Sequence, residues 1–103
     1  MQVVAMVDDL MDRSKVSVAV PDVRFARTAD GCAGADVVII DLAKHGAAVA
    51  EVRAAVPNAR ILTFGPHVDD VAFANARADG ADATLARSLF FRDPAAAIAT
   101  GGS

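Results

Sequence analysis

Three carboxylates stand where chemistry could be done. Asp8 and Asp9 follow directly on the apolar run at residues 3–7, and Asp41 follows on Val37, Val38, Ile39 and Ile40. If both runs are adjacent strands of an open parallel α/β sheet, all three acids fall at the carboxyl edge, where such sheets bind ligands. Three carboxylates meeting there could hold a divalent cation beside a carboxylate that accepts a phosphoryl group. Magnesium suits such a set, because it takes oxygen ligands and keeps several waters, so two or three carboxylates suffice. The same edge carries Arg87 and Ser88, which could bind an anion, and His67, which could serve as a base, a ligand or an anion contact. The bland alternative is that Asp9 caps a helix and Asp41 simply closes a buried strand.

The elements that must position these residues can be traced along the chain. Residues 3–7 read as a buried strand. Asp9 is placed to cap a helix over 10–19, with Asp12 three residues later in the capping-box position, and Pro21 ends it. Residues 22–26 alternate and suggest a half-buried edge strand. Residues 27–35 hold two glycines and no periodicity, enough for one helical turn. A β-branched strand covers 36–41. Val49, Val52 and Val56 mark a helix between Gly46 and Val56, which Pro57 terminates. The fourth strand covers 60–64 and closes in Gly65, Pro66 and His67. A helix over about 68–79 would present Val68, Val71, Asn75 and Ala78 on one face, with Asp69 and Asp70 in its first turn and Gly80 as its C-cap. A weak fifth strand covers 82–86, and Asp93 with Pro94 has the signature of a last short helix. Five alternations with short connections build a parallel sheet covered on both faces.

Composition narrows the classes. The chain of 103 residues is one domain, 54% hydrophobic, with five Phe and neither Trp nor Tyr. Ten basic residues against thirteen acidic ones give a formal charge of −3, and no Lys/Arg cluster offers a nucleic-acid surface. A single cysteine, Cys32, excludes an internal disulfide and fits a reducing compartment; a loop thiol is expected there. No run approaches the roughly 18–20 apolar residues that span a bilayer, and no basic region precedes residue 3. A cytoplasmic protein without membrane contact is expected. Neither a phosphate-binding glycine loop nor a dinucleotide fingerprint follows the first strand, and His45 and His67 do not have zinc-site spacing.

With the acidic pair after the first strand, Asp41 after the third, the turn after the fourth and Gly80, Ala81 and Asp82 entering the fifth, the chain resembles the receiver domain of bacterial response regulators along nearly its whole length. The resemblance implies a flavodoxin-like three-layer α/β/α sandwich with a five-stranded parallel sheet in the order 2-1-3-4-5. It implies further that Asp8 and Asp9, with Asp41, bind Mg²⁺, that Asp41 accepts phosphate from a sensor kinase, and that the last helix and strand signal onward.

Two switch positions depart from the family. Its hydroxyl residue falls on Gly65, with Thr63 one step deeper, and its lysine falls on Arg87, which keeps the charge but not the shape. The stretch from Asp9 to Asp41 is also short for a helix, a strand and a second helix, so the second helix is expected to shrink. Residues 9–15, 64–67 and 86–91 look like a small group of short receiver-like bacterial proteins of unassigned role. The expected function is therefore an atypical or degenerate receiver-like signalling or protein-interaction module with no output domain attached. The alternatives are a Mg²⁺-dependent phosphoacceptor working through Asp41 and a small enzyme using the rim with His67. Phe90 and Phe91, side by side, are the candidate contact for a protein partner or a second copy.

Overall fold

The computed structural model describes residues 1–66 and 69–100. Five strands, β1 (Val3–Met6), β2 (Arg24–Phe25), β3 (Val37–Asp41), β4 (Arg60–Gly65) and β5 (Ala83–Ala86), form one parallel sheet in the order β2-β1-β3-β4-β5. The central strands read as unbroken apolar runs because helices cover both their faces. Successive side chains go to opposite layers. Val4, Met6, Val38, Ile40 and Ile61 meet Val49 and Val52 on one side. On the other, Val3, Ala5, Val37, Ile39, Leu62 and Phe64 meet Val16, Phe90 and Ile98. The expected flavodoxin-like three-layer sandwich is the observed one.

Among the described residues six α-helices flank the sheet: α1 (Leu10–Ala19), α2 (Leu42–His45), α3 (Val49–Ala55), α4 (Asp70–Ala78), α5 (Arg87–Arg92) and α6 (Pro94–Thr100). The helix between β2 and β3 has shrunk to a single 3₁₀ turn, Ala29–Cys32. Its backbone lies close to the end of β2: a Cβ on Gly31 would come within 2.8 Å of the Ala26 Cβ. Arg24 ties the turn down by donating to the carbonyls of Gly31 and Ala33. Cys32 belongs to the core rather than to a loop surface: it is fully buried, and burial pushes its thiol pKa up.

Three local readings need correction. Helical structure starts directly after β3, four residues before Gly46, because the Asp41 side chain caps it. A separate helix, α5, follows β5 at once, so Phe90 and Phe91 lie on a helix. The inward face of α4 is Ala72, Phe73 and Ala76, whereas Val71 is 71% exposed and Asn75 and Ala78 also face outward. Small residues on the inner face let the helix sit close to the sheet, a signal that counting large apolar residues misses. Val68, of the same expected stripe, lies outside the described residues. Among the described residues no helix is long and apolar enough to cross a membrane.

Candidate functional site at the carboxyl edge

The acids are delivered by the strand ends, as the parallel order requires. β1 and β3 pair in register from Val3 with Val37 to Met6 with Ile40, so the residues that follow β1 and end β3 share one rim. Arg87 joins them as the first residue of α5, immediately after β5.

Each carboxylate already has a partner within the chain. Asp9 caps α1, its Oδ1 accepting from the Asp12 backbone N–H at 3.0 Å. Asp41 ends β3 and caps α2, its Oδ1 accepting from the Ala43 N–H at 3.0 Å. Asp8 is exposed and meets His45, whose Nε2 donates to Oδ1 at 2.9 Å. That hydrogen bond lowers the Asp8 pKa, outweighing the partial burial that raises it. Asp41 is only 6% exposed, and burial raises its pKa; the Ala43 N–H and the nearby Arg87 charge act against the rise, while Asp12 adds to it.

The strongest pair at the rim involves a residue that the sequence offers only as a capping-box member. Asp12 is 2% exposed, and the Arg87 fork closes on it: Nη1 donates to Oδ2 at 2.7 Å and Nη2 to Oδ1. The reciprocal half of the capping box is therefore replaced by an ion pair. Asp12 raises the Arg87 pKa, so the guanidinium is fixed as a cation. Below it lie three phenylalanines. Phe64 and Phe90 stack at 4.9 Å, and Phe91 meets both edge-on. Arg87 lies 4.9 Å from the Phe91 ring centre and Lys15 5.3 Å from it.

This aromatic cluster corrects the reading of Phe90 as a partner contact: it is fully buried core, and Phe91 is half-buried. On a helix, neighbouring residues are about 100° apart, so both rings can lean inward, and it is Leu89, 47% exposed, that turns to solvent. Ser88 is exposed on the same turn of α5. Thr63 is buried and donates its hydroxyl to the Ala83 carbonyl, so it is spent on the sheet. At Gly65 the space a side chain would take is bordered by the Phe73 Cε1 at 3.3 Å and the Leu42 Cβ at 3.4 Å from an added Cβ. His67 lies outside the described residues. A cavity of about 310 Å³ opens between α2 and α4, lined by Leu42, Gly46, Ala72, Asn75 and Ala76 among others, and none of the four acids borders it.

The oxygen donors of Asp8, Asp9 and Asp41 suit Mg²⁺ chemically, but their arrangement does not. One oxygen of each is committed to His45, Asp12 or Ala43. Among the described residues no group of three His, Cys, Asp or Glu side chains could hold a metal ion. Sequence reasoning passed over two residues of this rim, His45 and Asp12. The signal for Asp12 was present: it stands four residues before Val16, on the stripe of α1 that faces the core, where an ionised side chain needs a partner.

Fold and rim together define a doubly wound α/β domain whose carboxyl edge is acidic and holds Arg87 as a fixed cation. The chain has, more narrowly, the fold of the CheY-like response-regulator receiver domains. It superposes on a response regulator from Burkholderia pseudomallei, solved with a phosphorylated aspartic acid, a calcium ion and citrate, with a TM-score of 0.80 at 20% identity over 98% of this chain and 68% of that one. A response regulator from Thermotoga maritima gives a TM-score of 0.78 at 15% identity, covering 99% of this chain and 98% of its own. The Vibrio cholerae chemotaxis protein CheY4 gives 0.78 at 20%, with 96% of each chain covered. No family model and no curated protein matches the sequence.

Proposed function

We propose that the chain is a receiver-type signalling module of the cytoplasm and that Asp41 is its phosphoacceptor. One observation carries this reading: in a receiver fold, a carboxylate at the end of the central strand has a raised pKa and a fixed guanidinium nearby. In the reaction an Asp41 oxygen bonds to phosphorus as the bond from phosphorus to the donor's leaving group breaks, and the leaving group keeps the electron pair. The chain's own contribution is to hold Asp41 by the Ala43 N–H and to supply positive charge from Arg87. Among the described residues the acids as arranged do not form a cation site, and the positive charge facing Asp41 is that of Arg87. A sensor kinase is the natural donor for such a site, and a protein partner or a second copy the natural recipient of its signal.

A second reading, an interaction module that works without phosphorylation, is favoured by two departures: Arg87 is committed to Asp12, and Gly65 brings no hydroxyl. Incubation with acetyl phosphate, in Mg²⁺ and in EDTA, followed by intact mass separates the two. One phosphoryl adduct that Asp41→Asn abolishes is expected; its absence in both buffers would leave the interaction module standing.

A further inference from the structure

Asp12 is not among the acids a receptive pocket would need, and at 2% exposure it is too enclosed to meet a substrate. Yet it takes both outer nitrogens of Arg87 in a planar fork, the geometry that satisfies a guanidinium and a carboxylate together. The same guanidinium is near enough to Asp41 to lower its pKa, and Asp12 is near enough to raise it. Two carboxylates and one cation thus share a small volume, and the cation sits on the side of Asp12.

We propose that Asp12 is a positioning residue for this site: it stores Arg87 while Asp41 is unmodified and yields it when Asp41 carries a phosphoryl group. The proposal rests on Asp41 being the acceptor. A phosphoryl group carries roughly two negative charges and three acceptor oxygens, against the single charge of Asp12. In that contest the guanidinium moves, and two consequences follow. Asp12 is left as an enclosed charge under α1, and Phe91 loses the cation that covers it beside Lys15. The contact of α1 with α5 is therefore the part of the surface that reads the modification, which a glycine at position 65 cannot do through a hydroxyl.

The test is a titration with beryllofluoride, a phosphoryl mimic, in Mg²⁺ buffer, using the wild type, Asp12→Asn, Arg87→Gln, the double variant and Asp41→Asn. Amide NMR gives the affinities and the Arg87 Nε–H signal reports the guanidinium. Asp12→Asn removes the ionised competitor and should tighten binding about tenfold, the worth of a charge-assisted hydrogen bond. That gain should vanish in the Arg87→Gln background, which a merely structural Asp12 would not produce. In the wild type the Nε–H signal should move on binding, a readout that stands even if Asp12→Asn fails to fold. Equal affinity with and without the Asp12 charge, or a bound mimic with the Arg87 signal unmoved, overturns the storage role alone. Failure of the wild type to bind, as Asp41→Asn should fail, removes the acceptor reading and this proposal together.

Discussion

Removing Arg87 should cost far more than removing its partner. In Arg87→Ala the Asp12 carboxylate stays at a position 2% exposed and loses both hydrogen bonds of the fork. Stranding one member of a fully buried pair costs about 3–5 kcal/mol. The Arg87 side chain is 46% exposed, so water can enter behind it and the pair is already partly solvated; that discounts the loss to roughly 1.5–3 kcal/mol. The lost stacking on Phe91 adds about 0.5 kcal/mol. In Asp12→Ala, by contrast, the half-exposed guanidinium turns to water, and only about 1 kcal/mol of net hydrogen bonding is lost. The double variant should cost less than the sum of the two, with a coupling of about 1–2 kcal/mol. In a domain of this size Arg87→Ala should lower Tm by roughly 10–20 °C. Urea unfolding of the four proteins, followed by circular dichroism, gives the cycle. Equal and additive losses in the two single variants would refute the reasoning, because they would mean that Asp12 is not an enclosed charge.

Other substitutions test the surrounding geometry. Gly80 has φ +113°, and a Cβ there would lie 2.8 Å from the Arg53 Cγ, whose guanidinium ties together the carbonyls of Gly80, Pro57 and Ala59 and the Asp82 carboxylate. Gly80→Ala should therefore destabilise by about 2–4 kcal/mol in chemical denaturation, and a change below about 0.5 kcal/mol would contradict the close approach of Arg53. Gly65 has no positive φ. Gly65→Ala should stay within about 1 kcal/mol of wild type, since the half-buried Phe73 can give way, whereas Gly65→Thr overfills the site and should cost about 1–3 kcal/mol; the reverse order of Tm values would sink this. Burial raises the folded pKa of Asp41 above its unfolded value, so its ionised form costs stability at neutral pH and that cost fades as pH falls through the folded pKa. Asp41→Asn, which keeps the cap, should unfold at higher urea than wild type at neutral pH and lose that advantage in acid; a pH-independent difference would argue against an enclosed, ionised Asp41. His45→Ala should return the Asp8 pKa upward toward the ordinary carboxylate range, read by carbon NMR titration, and an unmoved pKa would mean that the Asp8–His45 bond is not the cause of its depression.

What could be read from the chain depended on how local the signal was. The parallel sheet followed from five strand segments alternating with helices through short connections, and its order came with the resemblance to receiver domains. The single turn at Ala29–Cys32 followed from two glycines in too short a stretch. Asp9 as the cap of α1 and Asp93 beside Pro94 as the start of α6 were equally local, and the bonds from Asp12 N–H and Ala96 N–H to those carboxylates agree. The inner face of α4 was misjudged because Ala72 and Ala76 carry little hydrophobic weight while Val71 carries much, although close approach to a sheet favours the small side chain. α5 was missed because Leu89, Phe90 and Phe91 form an apolar run that period counting cannot assign to strand or helix. The partners of Asp12 and Asp8 were beyond reach for another reason: Arg87 and His45 are far from them in sequence, and only the folded rim brings them together.

The rim is internally satisfied, and that determines what can act on it. A cation arriving at Asp8 meets one oxygen already held by His45, and one arriving at Asp9 meets one oxygen already held by the first turn of α1. An anion must compete with Asp12 for Arg87. Asp41, like Asp9, has a single neutral N–H as its hydrogen-bond partner among the described residues, but Asp41 is enclosed where Asp9 is exposed, and burial raises its pKa. A carboxylate that is both poorly solvated and weakly paired is the more basic one, and so the better nucleophile toward phosphorus. Asp41 is thus the enclosed acid whose conversion to an acyl phosphate would disturb a single neutral hydrogen bond rather than an ion pair, and it also stands within range of the Arg87 guanidinium, which could follow the charge.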